Sequence, residues 1–271
     1  MPDRREILQD AHTLVVRLTE TVVARIVTDP AGPRGGTAWF ARETAIAAHL
    51  SLQNAPVVPL HPELPQTAFE EQGFAINFWE FVTITDVEPD PAEIGATLFQ
   101  CHAMLRSFPE PLPPLAILHE THSLLEADTH FTPDILALLR RHLERSIALL
   151  AAHPHQPLHG DAHMGNLMMT TRGLLWSDWE DAFSGPVEWD LASVIWNAKL
   201  LDHDPLKADA ILAAYCEAGG SFDPIALDQS LVARAVVMSA WYPVLYPNPS
   251  PERIAKLRWR LDWLREMERG L

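Results

Sequence analysis

Cysteine is nearly absent: Cys101 and Cys216 are the only two in 271 residues. Two cysteines exclude a disulfide framework and any cysteine-based zinc spacing, leaving at most one bridge. Both sit in apolar, helix-like contexts, and two buried thiols fit a reducing compartment. Cations are also scarce, with 20 Lys and Arg against 36 Asp and Glu for a net charge of −16. Nucleic-acid phosphates need clustered cations, so no nucleic-acid partner is expected. The acidic balance suits a cationic or neutral small-molecule partner and also promotes solubility. The acidic excess is larger beyond residue 84. No uncharged apolar run is long enough to span a bilayer, so no membrane partner is expected. The first residues, Met1-Pro2-Asp3-Arg4-Arg5-Glu6, are charged at once and lack a signal-peptide apolar region, which points to the cytoplasm. Oligomeric state leaves no mark on the sequence.

Apolar residues are plentiful, at 48% of the chain, enough for a sizeable core. Two β-branched runs, Thr13–Leu18 and Thr21–Val27, are separated by Thr19-Glu20 and predict a hairpin. A turn-rich stretch, Asp29–Gly36, follows. Residues 38–53 read as a helix, with Phe40, Ile46, Ala47 and Leu50 on its apolar side. Strand-like segments recur near 57–60, 66–69 and 73–79. Beyond about residue 85 the pattern turns helical, at 91–106, 133–152, 190–201, 205–218, 226–242 and 251–268, interrupted by a strand-loop-strand region at 157–180. The expected fold class is therefore α+β. A small β-rich lobe (1–84) precedes a larger, mainly helical lobe (85–271), with a hinge near 79–86.

Chemistry concentrates in His159-Gly160-Asp161-Ala162-His163-Met164-Gly165-Asn166, then Leu174-Leu175-Trp176, then Asp178. An Asp, an Asn five positions on and a second Asp after a short strand are the parts that metal-assisted phosphoryl transfer requires. One carboxylate takes a hydroxyl proton; an amide oxygen and a second carboxylate hold a divalent cation against nucleotide phosphates. His153, His155, His159 and His163 raise a zinc-hydrolase alternative, which would leave Asn166 and Asp178 without a task. Trp176, Trp179, Trp189, Trp196, Trp241 and Tyr242 are mostly core. A few of these rings, or the acids Asp181 and Glu188, are candidate walls for a cationic substrate.

The runs HGDAHMGNLMM, LLWSDWEDA and GPVEWDLA together resemble the aminoglycoside phosphotransferase and choline kinase-like family, small-molecule kinases with a protein-kinase-like two-lobed fold. The resemblance implies that residues 1–84 bind nucleotide and residues 85–271 carry the catalytic and substrate-binding parts. It implies ATP or GTP and Mg²⁺ as cofactors, with a small-molecule hydroxyl as acceptor: an aminosugar or aminoglycoside, a choline-like amino alcohol, or a sugar. By resemblance Asp161 is the catalytic Asp and His159 the residue that fixes its loop. Asn166 and Asp178 hold the metal. Arg25 grips phosphate and Glu43 pairs with it. Glu80 and Val82 offer backbone groups to the base, and Asp190 braces the catalytic loop. Two features depart from the family: Arg25 stands where Lys is usual, and no Gly-rich phosphate loop precedes it. Gly32, Gly35 and Gly36 come after it, so the loop is abbreviated or the 32–36 turn shares its work. The weak loop motivates the alternative of a catalytically inactive nucleotide-binding regulator; the intact Asp161, Asn166 and Asp178 oppose it.

Overall fold

The computed structural model describes residues 5–10, 13–28, 36–127 and 130–269. Its amino-terminal part is an antiparallel sheet. The strands are β1 (Glu6–Asp10), β2 (Thr13–Arg17), β3 (Val22–Val27), β4 (Phe69–Glu71) and β5 (Phe74–Glu80), ordered β1-β2-β3-β5-β4. The anticipated hairpin is the β2–β3 pair, in which Leu18 donates its N–H to the Val22 carbonyl at 2.8 Å across the turn. A further strand, β1, precedes it. Its residues are all exposed, so it carries no burial pattern. Residues 11–12 lie outside the described residues, as does the glycine-bearing turn at 29–36 except for its last residue, Gly36, which has φ +83°.

Strand alternation decides what faces the interior. Val23, Arg25 and Val27 share one side of β3; Ala75, Asn77 and Trp79 share the same side of β5, where Arg25 pairs with Asn77. Helix α1 (Ala38–Leu52) covers that face with Phe40, Glu43 and Ala47, a stripe at helical spacing, while its Ile46 and Leu50 pack into the larger core. The segment at 57–60 makes bridges rather than a full strand, Val57 to Trp176 and Leu60 to Trp79.

The remainder is helical: α2 (Pro91–Leu105), α3 (Ala116–Ala127), α4 (Pro133–Leu150), α5 (Glu188–Trp196), α6 (Pro205–Glu217), α7 (Pro224–Ala240), α8 (Tyr242–Leu245) and α9 (Pro251–Arg269). Asp90, Asp204 and Asp223 cap α2, α6 and α7 by accepting backbone N–H bonds, each followed by Pro at the first turn. Helix α3 was not anticipated; it follows directly on the Pro-rich loop at 109–114. Helix α2 lies so close to α6 that a Cβ on Gly95 would strike the Ile211 carbonyl. Cys101 is buried, whereas Cys216 is exposed, contrary to the expectation of two buried thiols. The reason is its place on α6: Ile211, Ala214 and Tyr215 fill the inner face and leave Cys216 outward. Among the described residues no helix is long and apolar enough to cross a membrane.

Short strands carry the motif region: β6 (Gln156–Pro157) with β9 (Ser184–Gly185), and the hairpin of β7 (Leu167–Thr170) and β8 (Gly173–Trp176). Trp176, Trp179 and Trp189 are fully buried around it. Such rings bury roughly 150–250 Å² each, an upper bound of about 4–6 kcal/mol apiece at 25 cal/mol per Å². That anchorage holds the intervening loop.

Candidate active site

The loop from Leu158 to Asn166 is fixed from below. Asp190 of α5 is wholly buried, and its two carboxylate oxygens accept the N–H groups of His159 (2.8 Å) and Gly160 (3.0 Å). Oδ2 also meets His102 Nε2 at 3.0 Å, and His102 Nδ1 meets the Tyr215 hydroxyl at 2.9 Å. Trp189 Nε1 donates to the Gly160 carbonyl at 2.6 Å. Gly160 has φ +85°, and a Cβ there would collide with the Asp181 carbonyl, so the sharp turn needs glycine. His159 is buried against Trp179 and bonded through Nε2 to the Ser177 carbonyl at 2.9 Å. Burial pushes its pKa down, favouring the neutral ring.

The loop delivers Asp161 to a cleft of about 690 Å³ that Asn166, Asp178, Arg25, Glu180 and Arg234 also line. Asn166 turns its Nδ2 to the Asp161 carbonyl (2.9 Å), while its own carbonyl accepts the Ser177 N–H (3.0 Å). This clasp ties the Asp161 loop to the segment that carries Asp178. Asp178 itself adopts φ 66°, ψ 59°, the left-handed region, which Asp and Asn enter more readily than other residues bearing a side chain. Its carboxylate faces Arg25.

Arg25 is the second hub. It ion-pairs with buried Glu43, meets Asp178 Oδ1 at 2.8 Å and reaches Glu180 Oε2 at 3.4 Å. Burial works against its charge, but Glu43, Asp178 and Glu180 outweigh that and raise its pKa further. Glu43 is pushed upward by burial, opposed by Arg25 and by the Asn77 amide, which donates to Oε2 at 2.8 Å. One guanidinium therefore ties the sheet, α1 and the Asp178 segment together.

Asp161 has two cationic neighbours. Arg234 Nη2 of α7 lies 3.1 Å from Oδ1, and His163 Nε2 lies 3.3 Å from Oδ2. Burial alone would raise the Asp161 pKa, but the His163 hydrogen bond and the Arg234 charge prevail and hold it well below the usual carboxylate range. His163 answers in kind: burial opposes its charge, yet Asp161 raises its pKa above the ordinary value.

Arg25, Glu43, Asp161, Asn166 and Asp178 thus converge. Glu80 and Val82 do not line this cleft. They lie at the end of β5, where Glu80 N donates to the Pro59 carbonyl (2.9 Å) and its carboxylate pairs with Arg172 (2.7 Å). Val82 packs with Val15, Phe81 and Met168 against a small apolar cluster that includes Val23, Leu60 and Leu175. Glu188 is buried and accepts the Asp223 N–H at 2.7 Å, which removes it from the cleft, while Asp181 lines it. The four histidines go separate ways: His155 bonds the Leu150 carbonyl (3.1 Å), His153 approaches Asp223 (4.0 Å), His159 faces Ser177 and His163 faces Asp161. Among the described residues no three His, Cys, Asp or Glu side chains gather as a metal-ligand set, so the zinc alternative lacks its geometry. The donors at hand for a divalent cation are the Asn166 amide oxygen and the Asp178 carboxylate. Hard oxygens of this kind fit Mg²⁺, which completes its shell with water and phosphate rather than protein.

A model of the phosphotransferase enzyme family matches residues 3–227. No curated protein matches the chain. Among solved structures it is similar to the amicoumacin kinase hAmiN in complex with AMP-PNP, Ca²⁺ and Ami (13% identity, TM-score 0.77, covering 98% of this chain and 89% of that one). It is similar also to the choline kinase LicA from Streptococcus pneumoniae (15%, TM-score 0.68, 97% and 93%). A third likeness is to APH(2")-IIia in its complex with GDP and kanamycin (13%, TM-score 0.67, 98% and 94%). At these identities the likenesses establish the protein-kinase-like fold.

Proposed function

The chain belongs to the phosphotransferase enzyme family, and on that premise we propose that it is an ATP- or GTP-dependent, Mg²⁺-assisted kinase for a hydroxyl on a small molecule. One observation carries the reading: Asp161, Asn166 and Asp178, from two segments clasped together by Asn166, face one cleft with Arg25 beside them. A bound Mg²⁺ would sit on Asn166 and Asp178 and offset charge on the phosphates.

The residues themselves do the following. Arg25 presents two phosphate-binding edges, oriented by Glu43 and freed in part from Asp178 when nucleotide enters. The apolar cluster around Val23, Val82 and Met168, with the backbone of Glu80 and Val82, receives the base. Asp161 accepts a hydrogen bond from the acceptor hydroxyl and aims its oxygen in line with the γ-phosphorus. As the new P–O bond forms and the bond to the β-phosphate oxygen breaks, the hydroxyl proton passes to Asp161 and the nucleoside diphosphate leaves. With its pKa held low, Asp161 is a weak base, so its main contribution is alignment, as a loose phosphoryl transition state allows. His159 and Asp190 keep the loop in register. ADP or GDP release over a panel of alcohols, aminosugars and amino alcohols tests the reading; nucleotide binding without turnover of any acceptor would favour the regulator alternative.

A further inference from the structure

The cleft has a second wall. Arg234, Val237 and Met238 of α7, with Trp241 just past its end, follow one another at helical spacing and all line it, and Leu245 and Tyr246 continue the surface. This wall is apolar and aromatic beyond Arg234. Three acids of the cleft are already ion-paired: Asp161 with Arg234 and His163, and Asp178 and Glu180 with Arg25. A polycation entering here would have to break those pairs.

Tyr246 also lines a smaller cavity of about 330 Å³, with Arg253, Lys256 and Arg260 from one face of α9. The two cavities adjoin again at Met238, whose carbonyl accepts Arg260 Nη1 at 2.9 Å. Its single carboxylate, Glu252, pairs with Lys256 at 3.0 Å. Arg253 stacks on Tyr246 at 3.6 Å, and neither it nor Arg260 has a carboxylate partner among the described residues. In a chain with 36 acids against 20 cations, two such arginines side by side are unexpected. Arg260 is half-buried, and burial presses its pKa down, so its charge carries a desolvation cost without an ion pair to offset it. The Tyr242 hydroxyl at the edge of this cavity is buried with no partner among the described residues. The amino terminus of α9, capped by Ser250, adds its dipole with the same sign preference.

We propose that the acceptor is a hydroxylated molecule with an apolar or aromatic body and a terminal oxyanion, a carboxylate or phosphate, which the Arg253, Lys256 and Arg260 cavity holds while the hydroxyl reaches Asp161. The assignment rests on the kinase reading for its hydroxyl end and on the basic cavity for its tail. A series of para-(hydroxymethyl)phenyl alkanoates of increasing chain length tests it, each beside its methyl ester and its amine counterpart, with kanamycin as the polycation. Two readouts apply: nucleoside diphosphate release with Mg²⁺, and quenching of tryptophan fluorescence, since Trp189 and Trp241 line the cleft and report binding without transfer.

The best carboxylate should be favoured over its ester by about fivefold, the scale of a partly exposed charge pair, and over the amine and kanamycin by more. That preference should collapse in Arg253→Gln/Lys256→Gln, where both side chains are exposed and the core is untouched. Equal or better binding of the esters, or a preference for kanamycin, overturns the proposal; turnover of kanamycin would do so while upholding the kinase reading. Carboxylate-selective quenching with no diphosphate released from any compound would uphold the anion cavity and sink the kinase reading instead.

Discussion

Arg234 of α7 holds the carboxylate of Asp161, Nη2 to Oδ1 at 3.1 Å, from a position itself almost wholly buried over the Trp189 ring. The pair joins the far helix to the motif loop and, together with the His163 hydrogen bond, lowers the Asp161 pKa against the burial that would raise it. Replacing Arg234 with Met removes a cation that lowers the Asp161 pKa, so that pKa should rise towards the ordinary carboxylate value. The acid limb of kcat/KM should then move to higher pH than in the parent. The sign for stability agrees: a depressed pKa stabilises the fold above the unfolded value of about 4 and loses that contribution as pH falls. An unmoved acid limb in Arg234→Met would show that Asp161 does not feel Arg234.

His163 titrates the other way. Its folded pKa is raised above 6.5 by the Asp161 hydrogen bond, so its contribution to stability is complete below that pH and is lost as pH rises through the folded value. NMR titration of the imidazole should place the His163 midpoint above 6.5 in the parent and lower in Asp161→Asn. His159, buried and driven towards neutrality, should titrate below 6.5 in the same spectra.

Asp190 should matter first to the fold. Asp190→Ala leaves the N–H groups of His159 and Gly160 unpaired and strands buried His102. Loss of one partner from a buried network costs about 3–5 kcal/mol, readable as a lower denaturant midpoint. Turnover should fall in the same variant at temperatures where it remains folded, because the loop loses its anchor.

Arg25→Lys should raise the KM for nucleotide by about tenfold, since an ammonium keeps the charge beside Glu43 but loses the planar fork that grips two phosphate oxygens side by side. Arg25→Met should raise it by about a hundredfold, in line with loss of a charge-assisted, bidentate contact of roughly 3 kcal/mol. Steady-state kinetics at fixed acceptor separates the two. Equal KM values for the parent and Arg25→Met would place the phosphates elsewhere.

Much of this was legible in the chain because the motif is local. Asp161 and Asn166 are five residues apart and Asp178 follows one short hairpin, so their convergence needs little of the tertiary fold. The β2–β3 hairpin and α1 announced themselves by alternation and helical spacing. What escaped depends on long-range packing. Arg234 lies 73 residues from Asp161; its only signal is a lone charge in Val232-Ala233-Arg234-Ala235-Val236-Val237, which marks a buried cation in need of a partner. Strand β1 is exposed throughout, and helix α3 (Ala116-Ile117-Leu118-His119-Glu120-Thr121) follows a Pro-rich loop, so neither shows the usual burial signature at its start. Cys216 looked buried because its neighbours are apolar, though the α6 face turns it outward.

The central claim is that Asp161 aligns the acceptor while Asn166 and Asp178 hold the nucleotide through a divalent cation. Nucleotide affinity measured with and without Mg²⁺, alongside acceptor turnover, in the parent, Asp161→Asn and Asp178→Ala tests it directly. The expected result is that Asp161→Asn keeps Mg²⁺-dependent nucleotide binding and loses turnover by at least about a thousandfold, whereas Asp178→Ala loses the Mg²⁺ dependence itself. Parent-like turnover in Asp161→Asn, or unchanged Mg²⁺-dependent affinity in Asp178→Ala, would contradict it.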